Sequence, residues 1–328
     1  VYGNLGNLYR TRGELDKAME FYQKALRFDE ALGSTEGIAN TYTALGNLYQ
    51  TRGELDQAME FHQKALRLDE ALGRKEGMAN NYTNLGIVYG IRGELDRAME
   101  FFQKALRLYE ALGSTEGIAN TYTALGNLYR TRGELDQAME FHQKALRLDE
   151  ALGHKEGMAA VYGNLGNLYQ TRGELNQAIK FYEKALRLDE ALGSKGGMAT
   201  NYGNLGHVYQ TRGELDQAIK FYEKALRLHE ALGRKEGMAN NYTNLGNVYQ
   251  TRGELDKAME FHQKALRLDE ALGHKEGMAN AYGNLGNVYK LLGNKSEAKR
   301  YYLMSMELFK QVGSPNEKIV QTWLDELQ

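Results

Sequence analysis

Residues 36–75 read EGIANTYTALGNLYQTRGELDQAMEFHQKALRLDEALGRK, and their spacing decides the fold. Small or apolar residues stand at 38, 39, 42, 45, 46, 48 and 49, three and four apart, as on one face of a helix. Gly53 interrupts the pattern. A second run follows, with Leu55, Ala58, Met59, Phe61, Ala65, Leu66, Leu68 and Leu72. Gly73 then stands where a left-handed glycine ends a helix. Ser34, Ser114 and Ser194 follow their glycines as N-caps for the next helix. No alternation of Val, Ile and Thr marks a strand. Forty residues therefore encode two antiparallel helices joined by short turns. Glu20–Lys24, Glu60–Lys64 and Glu140–Lys144 are i,i+4 pairs in the favourable order, each worth only ~0.2–0.5 kcal/mol.

Outward from this stretch, the same unit recurs. The chain has 37 glycines and one proline, and all but two of the glycines fall in slots that repeat every 40 residues. Collagen or low-complexity sequence would need proline as well. A period in this range signals a solenoid or array. One hairpin of this size cannot bury enough surface to fold alone, whereas stacked copies share a continuous core. Gly46, Ala58 and Ala65 let helix backbones approach, and Tyr42, Leu45, Tyr49 and Phe61 are expected to fill the remaining space.

Composition narrows the function. The chain has 328 residues, a formal net charge of −2 and no cysteine. That balance argues against nucleic-acid binding through a bulk basic field. The lack of cysteine excludes disulfides, thiolate metal sites and a cysteine nucleophile, and fits a reducing, cytoplasmic compartment. No run of 18 apolar residues suggests a membrane span. The chain opens in mid-pattern at Val1-Tyr2-Gly3, without Met, so a fragment or processed product is expected.

Tyr42-x2-Leu45-Gly46-x2-Tyr49 followed by Ala58-x3-His62 resembles the tetratricopeptide repeat (TPR) pattern, which recurs about eight times. Asn-Leu-Gly-Asn at 164–167, Arg-Gly-Glu-Leu at 172–175 and Lys-Ala-Leu-Arg-Leu-Asp at 184–189 add to the likeness. The usual closing proline is replaced by Glu70, Glu150 and Glu190, and the second helix runs on through Ala71-Leu72. This 40-residue form looks like the Leu-Gly-Asn (Pins-type) and, less closely, the kinesin light chain arrays. The resemblance implies an all-α, right-handed α-solenoid (superhelix) of about eight helix-turn-helix units. The array is expected over 1–313, with repeats starting near 1, 39, 79, 119, 159, 199, 239 and 279. Residues 314–328 are expected to add a capping helix with Ile319, Val320, Trp323, Leu324 and Leu327 on its apolar face.

The resemblance also implies that first helices line a concave surface. Charge lies on the second helix, at Asp56, Glu60, Lys64, Arg67 and Glu70, while the first offers Asn40, Thr43, Asn47, Gln50 and Thr51. Asn recurs at one slot as Asn7, Asn47, Asn127, Asn167, Asn247 and Asn287, and three residues earlier as Asn4, Asn84, Asn164, Asn204, Asn244 and Asn284. Residues i and i+3 share a helix face. An amide that both donates and accepts matches one peptide unit. A ladder of them would hold an extended, unstructured segment of another protein by its main chain. The same asparagines could instead bond across adjacent helices or to water.

Gly3, Thr43, Thr83, Thr123 and Gly163 occupy the slots where related proteins place a basic carboxylate clamp, so capture of a C-terminal carboxylate is not expected. Arg10, Arg130 and Lys290 offer isolated charges for an acidic ligand, or solvated helix ends suited to the dipole. The second reading also covers Arg12, Arg52, Arg132, Arg172, Arg212 and Arg252. Repeat three departs from the pattern: Ile87, Gly90 and Ile91 replace polar residues, and Phe102 and Tyr109 deviate on its second helix. This change could seat one hydrophobic ligand side chain, or reflect drift and repacking.

His62, His142 and His262 occupy a core-edge slot that holds Tyr22, Phe102, Tyr182 and Tyr222 elsewhere. No metal-ligand spacing, phosphate loop or nucleophile motif appears, so no catalytic residue, metal or cofactor is expected. Two other readings compete with a peptide-binding scaffold. Near-identical repeats, from recent duplication or consensus design, allow end-to-end self-assembly through an uncapped N-terminal repeat. Alternatively, the array is the regulatory arm of a larger signalling protein whose effector domain lies elsewhere.

Overall fold

The structure, a computed structural model, describes residues 1–327. Among them are seventeen α-helices and no strand. Helices alternate with turns in the order α1 (Tyr2–Thr11), α2 (Leu15–Leu32), α3 (Thr35–Thr51), α4 (Leu55–Leu72), α5 (Lys75–Ile91), α6 (Leu95–Leu112), α7 (Thr115–Thr131) and α8 (Leu135–Leu152). They continue through α9 (Lys155–Thr171), α10 (Leu175–Leu192), α11 (Lys195–Thr211), α12 (Leu215–Ala231), α13 (Lys235–Thr251), α14 (Leu255–Leu272), α15 (Lys275–Leu291), α16 (Lys295–Val312) and α17 (Glu317–Asp325). Packing divides the chain into two units, Val1–Leu168 and Tyr169–Gln328, the division falling within α9. Each is a run of helix-turn-helix repeats, the α-solenoid architecture.

The turn chemistry matches the sequence. Ser34 Oγ accepts the Gly37 N–H at 3.1 Å, and Ser114 and Ser194 cap their helices in the same way at 3.3 Å. At the far end of α4, Gly73 has φ of 68° and the Arg74 N–H reaches Asp69 O at 2.9 Å, a Schellman closure that only glycine makes without strain. With no proline to stop it, α4 runs on through Ala71 to Leu72.

In the first unit the core is built from Ala18, Tyr22, Leu45, Leu48, Leu85, Ala98, Phe102, Leu125 and Leu128. One large ring per repeat lies on a glycine of the preceding helix. A Cβ at Gly6 would meet Tyr22 at 2.5 Å, at Gly46 His62 at 2.5 Å, and at Gly86 Phe102 at 2.6 Å. The second unit repeats this with Tyr222 on Gly206, His262 on Gly246 and Tyr302 on Gly286. The histidine slot is therefore full core rather than core edge: His62, His142 and His262 are 0% exposed. The aromatics expected in the core move the other way. Tyr49 and Phe61 stack at 5.2 Å on a half-buried edge, with the Lys64 ammonium 4.9 Å from the Phe61 ring. The glycine admits one ring between the helices, and the neighbouring ring pair stays at the rim under a cation.

A second joint links successive repeats. Asp69 is buried and accepts from Asn81 Nδ2 of the next helix at 3.0 Å. The carboxylate lies on Gly77, where a Cβ would approach within 2.4 Å. Asp189 and Asn201 repeat the contact at 2.8 Å in the second unit. Tyr109 replaces the aspartate in repeat three, lies on Gly117 and donates to Asn80 Oδ1 at 2.6 Å.

The final helix is shorter than the sequence suggested, ending at Asp325, and Gln328 of the expected cap lies outside the described residues. Val320, Leu324 and Leu327 pack with Ala279, Ala298, Tyr302 and Phe309. Trp323 sits 5.6 Å from the Tyr302 ring.

Candidate functional site

Successive first helices touch one another, α1 with α3, α3 with α5 and α5 with α7 in the first unit, α11 with α13 and α13 with α15 in the second. Among the described residues, second helices within either unit show no comparable approach. The first helices thus form the close-packed face of each unit. The first helices carry Asn4, Asn7, Asn47, Asn84, Ile87, Ile91, Asn127, Arg130 and Asn164 in the first unit, with Asn167 at its end. Asn204, Asn244, Asn247, Asn284 and Asn287 stand on the same helices of the second. Most are half-buried, while Asn4, Asn7, Ile91 and Arg130 are exposed.

Their hydrogen bonds divide the asparagines by what lies beneath them. Where the core slot is tyrosine, the phenol can tie up the amide: Tyr22 Oη donates to Asn7 Oδ1 and Tyr302 Oη to Asn287 Oδ1, both at 2.7 Å. Tyr222 Oη donates to Gln210 Oε1 at 2.9 Å. Where the slot is histidine, the ring is shorter, and neither nitrogen of His62, His142 or His262 has a partner in hydrogen-bond geometry. The side-chain amides of Asn47, Asn127 and Asn247 above them make no hydrogen bond within the described residues; only their backbone carbonyls accept, from Thr51, Thr131 and Thr251. Burial lowers the pKa of all three histidines to about 4, so they are neutral at pH 7. Where the slot is Phe102, which has no polar atom, the residue above is Ile87.

The isolated cations are not equivalent. Arg10 lies beside Tyr22, and its proximity partly offsets the rise that burial imposes on the phenol pKa. Lys290 Nζ bonds Glu326 Oε2, just past the end of the final helix, at 2.6 Å. Arg130 is exposed beside His142. Of the arginines read as solvated helix ends, Arg52, Arg132, Arg212 and Arg252 instead join repeats, and Arg92 does the same. Arg52 reaches Asp16, Arg92 reaches Asp56 and Arg132 reaches Asp96, while Arg252 reaches Asp216 at 2.7 Å and Arg212 reaches Asn176 at 3.2 Å. Each partner is 36 residues earlier, because stacking sets the inter-helix turn of one repeat over the start of the previous second helix. The Asp–Asn joint and these arginine links were not legible as pairs, since period alone does not give the offset between neighbours.

The altered residues of repeat three line a cavity of about 450 Å³ in the first unit. Ile87, Ile91, Phe102 and Leu128 give it apolar walls, while Asn120, Thr123, Asn127 and Thr131 bring polar groups to it. Gly90 provides the room: a Cβ there would meet only Ala98 Cβ, at 3.9 Å.

A sequence model described as "Tetratricopeptide repeat" matches residues 1–71, 37–111, 77–151, 117–191, 157–231, 197–271 and 237–311. The chain belongs to the tetratricopeptide repeat family. This repeat array is similar to several solved structures. One is a Signal Transduction ATPase with Numerous Domains from Pyrococcus horikoshii that carries a tetratricopeptide repeat sensor (16% identity, TM-score 0.71, 94% of this chain and 49% of that one). Another is the apo form of the quorum sensor NprR from B. thuringiensis (18% identity, TM-score 0.70, 94% and 86%). A third is BtubC (BKLC) from P. vanneervenii (22% identity, TM-score 0.58, 67% and 90%). At these identities the likeness is one of fold. This chain spans about half the length of the Pyrococcus protein. No curated protein sequence matches. Among the described residues no helix is long and apolar enough to cross a membrane, and no three His, Asp or Glu residues cluster as a metal site.

Proposed function

We propose that this TPR array is a protein-interaction module that holds an extended, unstructured segment of a partner protein on the faces formed by its first helices. The observation that carries this reading is the set of unpartnered amides at Asn47, Asn127 and Asn247, standing over histidines that offer them nothing. A half-buried amide with no protein partner favours a ligand that supplies a donor and an acceptor, which every peptide unit does. Asn4, Asn84, Asn164, Asn204, Asn244 and Asn284 add further contacts along the same helices. Asn7 and Asn287, already bonded to tyrosines, serve the fold first. Repetition of the same contact along an extended chain accumulates affinity with little demand on ligand sequence. We assign 1–313 to the array, 314–328 to its cap, and the whole to the cytoplasm, with no catalytic role.

The test is a selection from a random peptide library against the purified protein, beside the variant N47A/N127A/N247A. Peptides that enrich on the wild type and bind the variant at least tenfold more weakly are the expected result. Enrichment indifferent to the three asparagines would defeat the reading.

A second reading has one observation in its favour. The Pyrococcus protein similar to this chain carries its repeats as a sensor within a longer signalling ATPase. By that reading this array senses a partner on behalf of an effector domain. The complete open reading frame decides it: a nucleotide-binding or other effector domain in the same frame supports the sensor role.

A further inference from the structure

We infer that the cavity between α5 and α7 takes one large apolar side chain, aromatic or branched aliphatic, of the bound segment, and so fixes the position at which that segment lies. This rests on the peptide reading above and adds the side-chain chemistry that the amides alone do not select.

Three observations converge on this occupant. The first is the coordinated change in repeat three. Repeat two carries Asn47, Gln50 and Thr51 on the equivalent turn; repeat three carries Ile87, Gly90 and Ile91. Core repacking around Phe102 accounts for Ile87 alone, because Ile87 packs in the cluster that contains Phe102. It does not account for Ile91, which is 58% exposed, or for Gly90, where a Cβ would make one ordinary contact, with Ala98 Cβ at 3.9 Å. An exposed isoleucine beside a helical glycine gives up solubility and helix propensity together, the glycine costing about 0.8–1 kcal/mol relative to alanine. A ligand that covers both removes the first penalty and uses the space left by the second.

The second observation is the electrical character of the cavity. Its lining contains no ionisable side chain. An acidic or basic ligand group entering it would lose water and find no opposite charge, a cost that excludes ligands with a charged residue at this position. The space of about 450 Å³ exceeds one aromatic side chain and leaves room for the adjoining main chain.

The third is the polar edge. Asn127 lines the cavity with its amide unpartnered, four residues from Thr131, whose hydroxyl is turned back onto the Asn127 carbonyl at 3.0 Å. A peptide unit bonded to that amide would set its own side chain toward Ile87, Ile91 and Leu128. A free hydrocarbon would leave the amide unsatisfied, whereas a residue within a polypeptide satisfies both halves of the site.

The experiment compares the wild type with the triple variant I87N/G90Q/I91T. These are the residues that repeat two carries at the same positions, so the variant keeps a tested helix sequence and should fold. Both proteins are taken through selection from the same random peptide library. The expected result is a wild-type pool sharing one position restricted to Leu, Ile, Met, Phe, Tyr or Trp, and a variant pool with no such restriction. A synthetic peptide of the wild-type consensus should bind the variant at least tenfold more weakly, and changing its apolar residue to Asp should abolish binding to the wild type. A wild-type pool without a shared apolar position overturns the cavity's role, as does a consensus peptide that binds both proteins equally; either result leaves the amide-held peptide standing. Failure of both proteins to enrich any peptide overturns the peptide reading and this inference together.

Discussion

Tyr22 and His62 fill the same slot one repeat apart, and each ring lies against the glycine that makes room for it. The backbone around them is the same. The surface above is not. Tyr22 holds Asn7 through a 2.7 Å hydrogen bond, and His62 leaves Asn47 free. Two repeats beyond Tyr22, Phe102 offers no polar atom and the residue above it is Ile87. In these repeats a tied amide, a free amide and an apolar surface each go with a different buried ring, while elsewhere the phenol turns to a glutamine, Tyr182 donating to Gln170 Oε1 at 2.7 Å and Tyr222 to Gln210 Oε1 at 2.9 Å. At Tyr22 and Tyr302 the scaffold and the proposed ligand face are coupled through the ring that separates them.

The contrast can be broken most forcefully at the glycines. Gly86→Leu places atoms inside the Phe102 ring and should lower stability by about 3 kcal/mol, visible as a lower melting temperature. Gly90→Gln, four residues on in the same helix, meets only Ala98 Cβ at an ordinary 3.9 Å and should be neutral or stabilising by up to about 1 kcal/mol. Equal effects would contradict the packing account.

Acid should separate the histidine slots from the tyrosine slots. His62, His142 and His262 have folded pKa values of about 4, below the ordinary 6.5, so between these values the unfolded chain binds the extra protons. Their contribution is fully present above pH 6.5 and is lost as the pH falls toward 4, at about 3 kcal/mol for each ring. Urea melts from pH 7 to pH 4 should show this decline. In the variant H62F/H142F/H262F, with the residue native at 102, the decline should be much shallower.

Smaller effects sharpen the division among the asparagines. Asn7→Ala removes the acceptor of Tyr22 and should cost about 1 kcal/mol of stability, while Asn47→Ala should change stability by less than about 0.5 kcal/mol. Smallest is the exposed pair of Arg92 and Asp56: Arg92→Ala should cost no more than about 1 kcal/mol at low salt and less at high salt.

Much of this was legible in the residues themselves. The 40-residue glycine grid, the serine caps and the run-on through Ala71-Leu72 follow from local rules, and each appears in the structure where those rules put it. Leu45, Ala58 and Ala65 were readable as core for the same reason. Tyr49 and Phe61 were not separable from the core by periodicity, because a half-buried edge and a buried seam have the same spacing. The Asp69–Asn81 joint and the Arg52–Asp16 link depend on how one repeat is offset against the next. The division of the asparagines was hidden for a related reason. Asn7 and Asn47 share the local sequence Leu-Gly-Asn-Leu-Tyr, and the occupied amide goes with a tyrosine 15 residues later and with Arg10 rather than Gln50 three residues on.

The most direct test of this coupling is the affinity of one library-selected peptide, measured by titration calorimetry, for N47A/N127A and for N7A. Loss of two peptide hydrogen bonds at about 1 kcal/mol each predicts roughly 30-fold weaker binding to the double variant. Binding to the single variant should change by less than about twofold, because each ligand-facing bond remains and only the tyrosine contact is lost. Equal losses in the two variants, or a larger loss in N7A, would contradict the claim that the buried rings decide which asparagines meet the ligand.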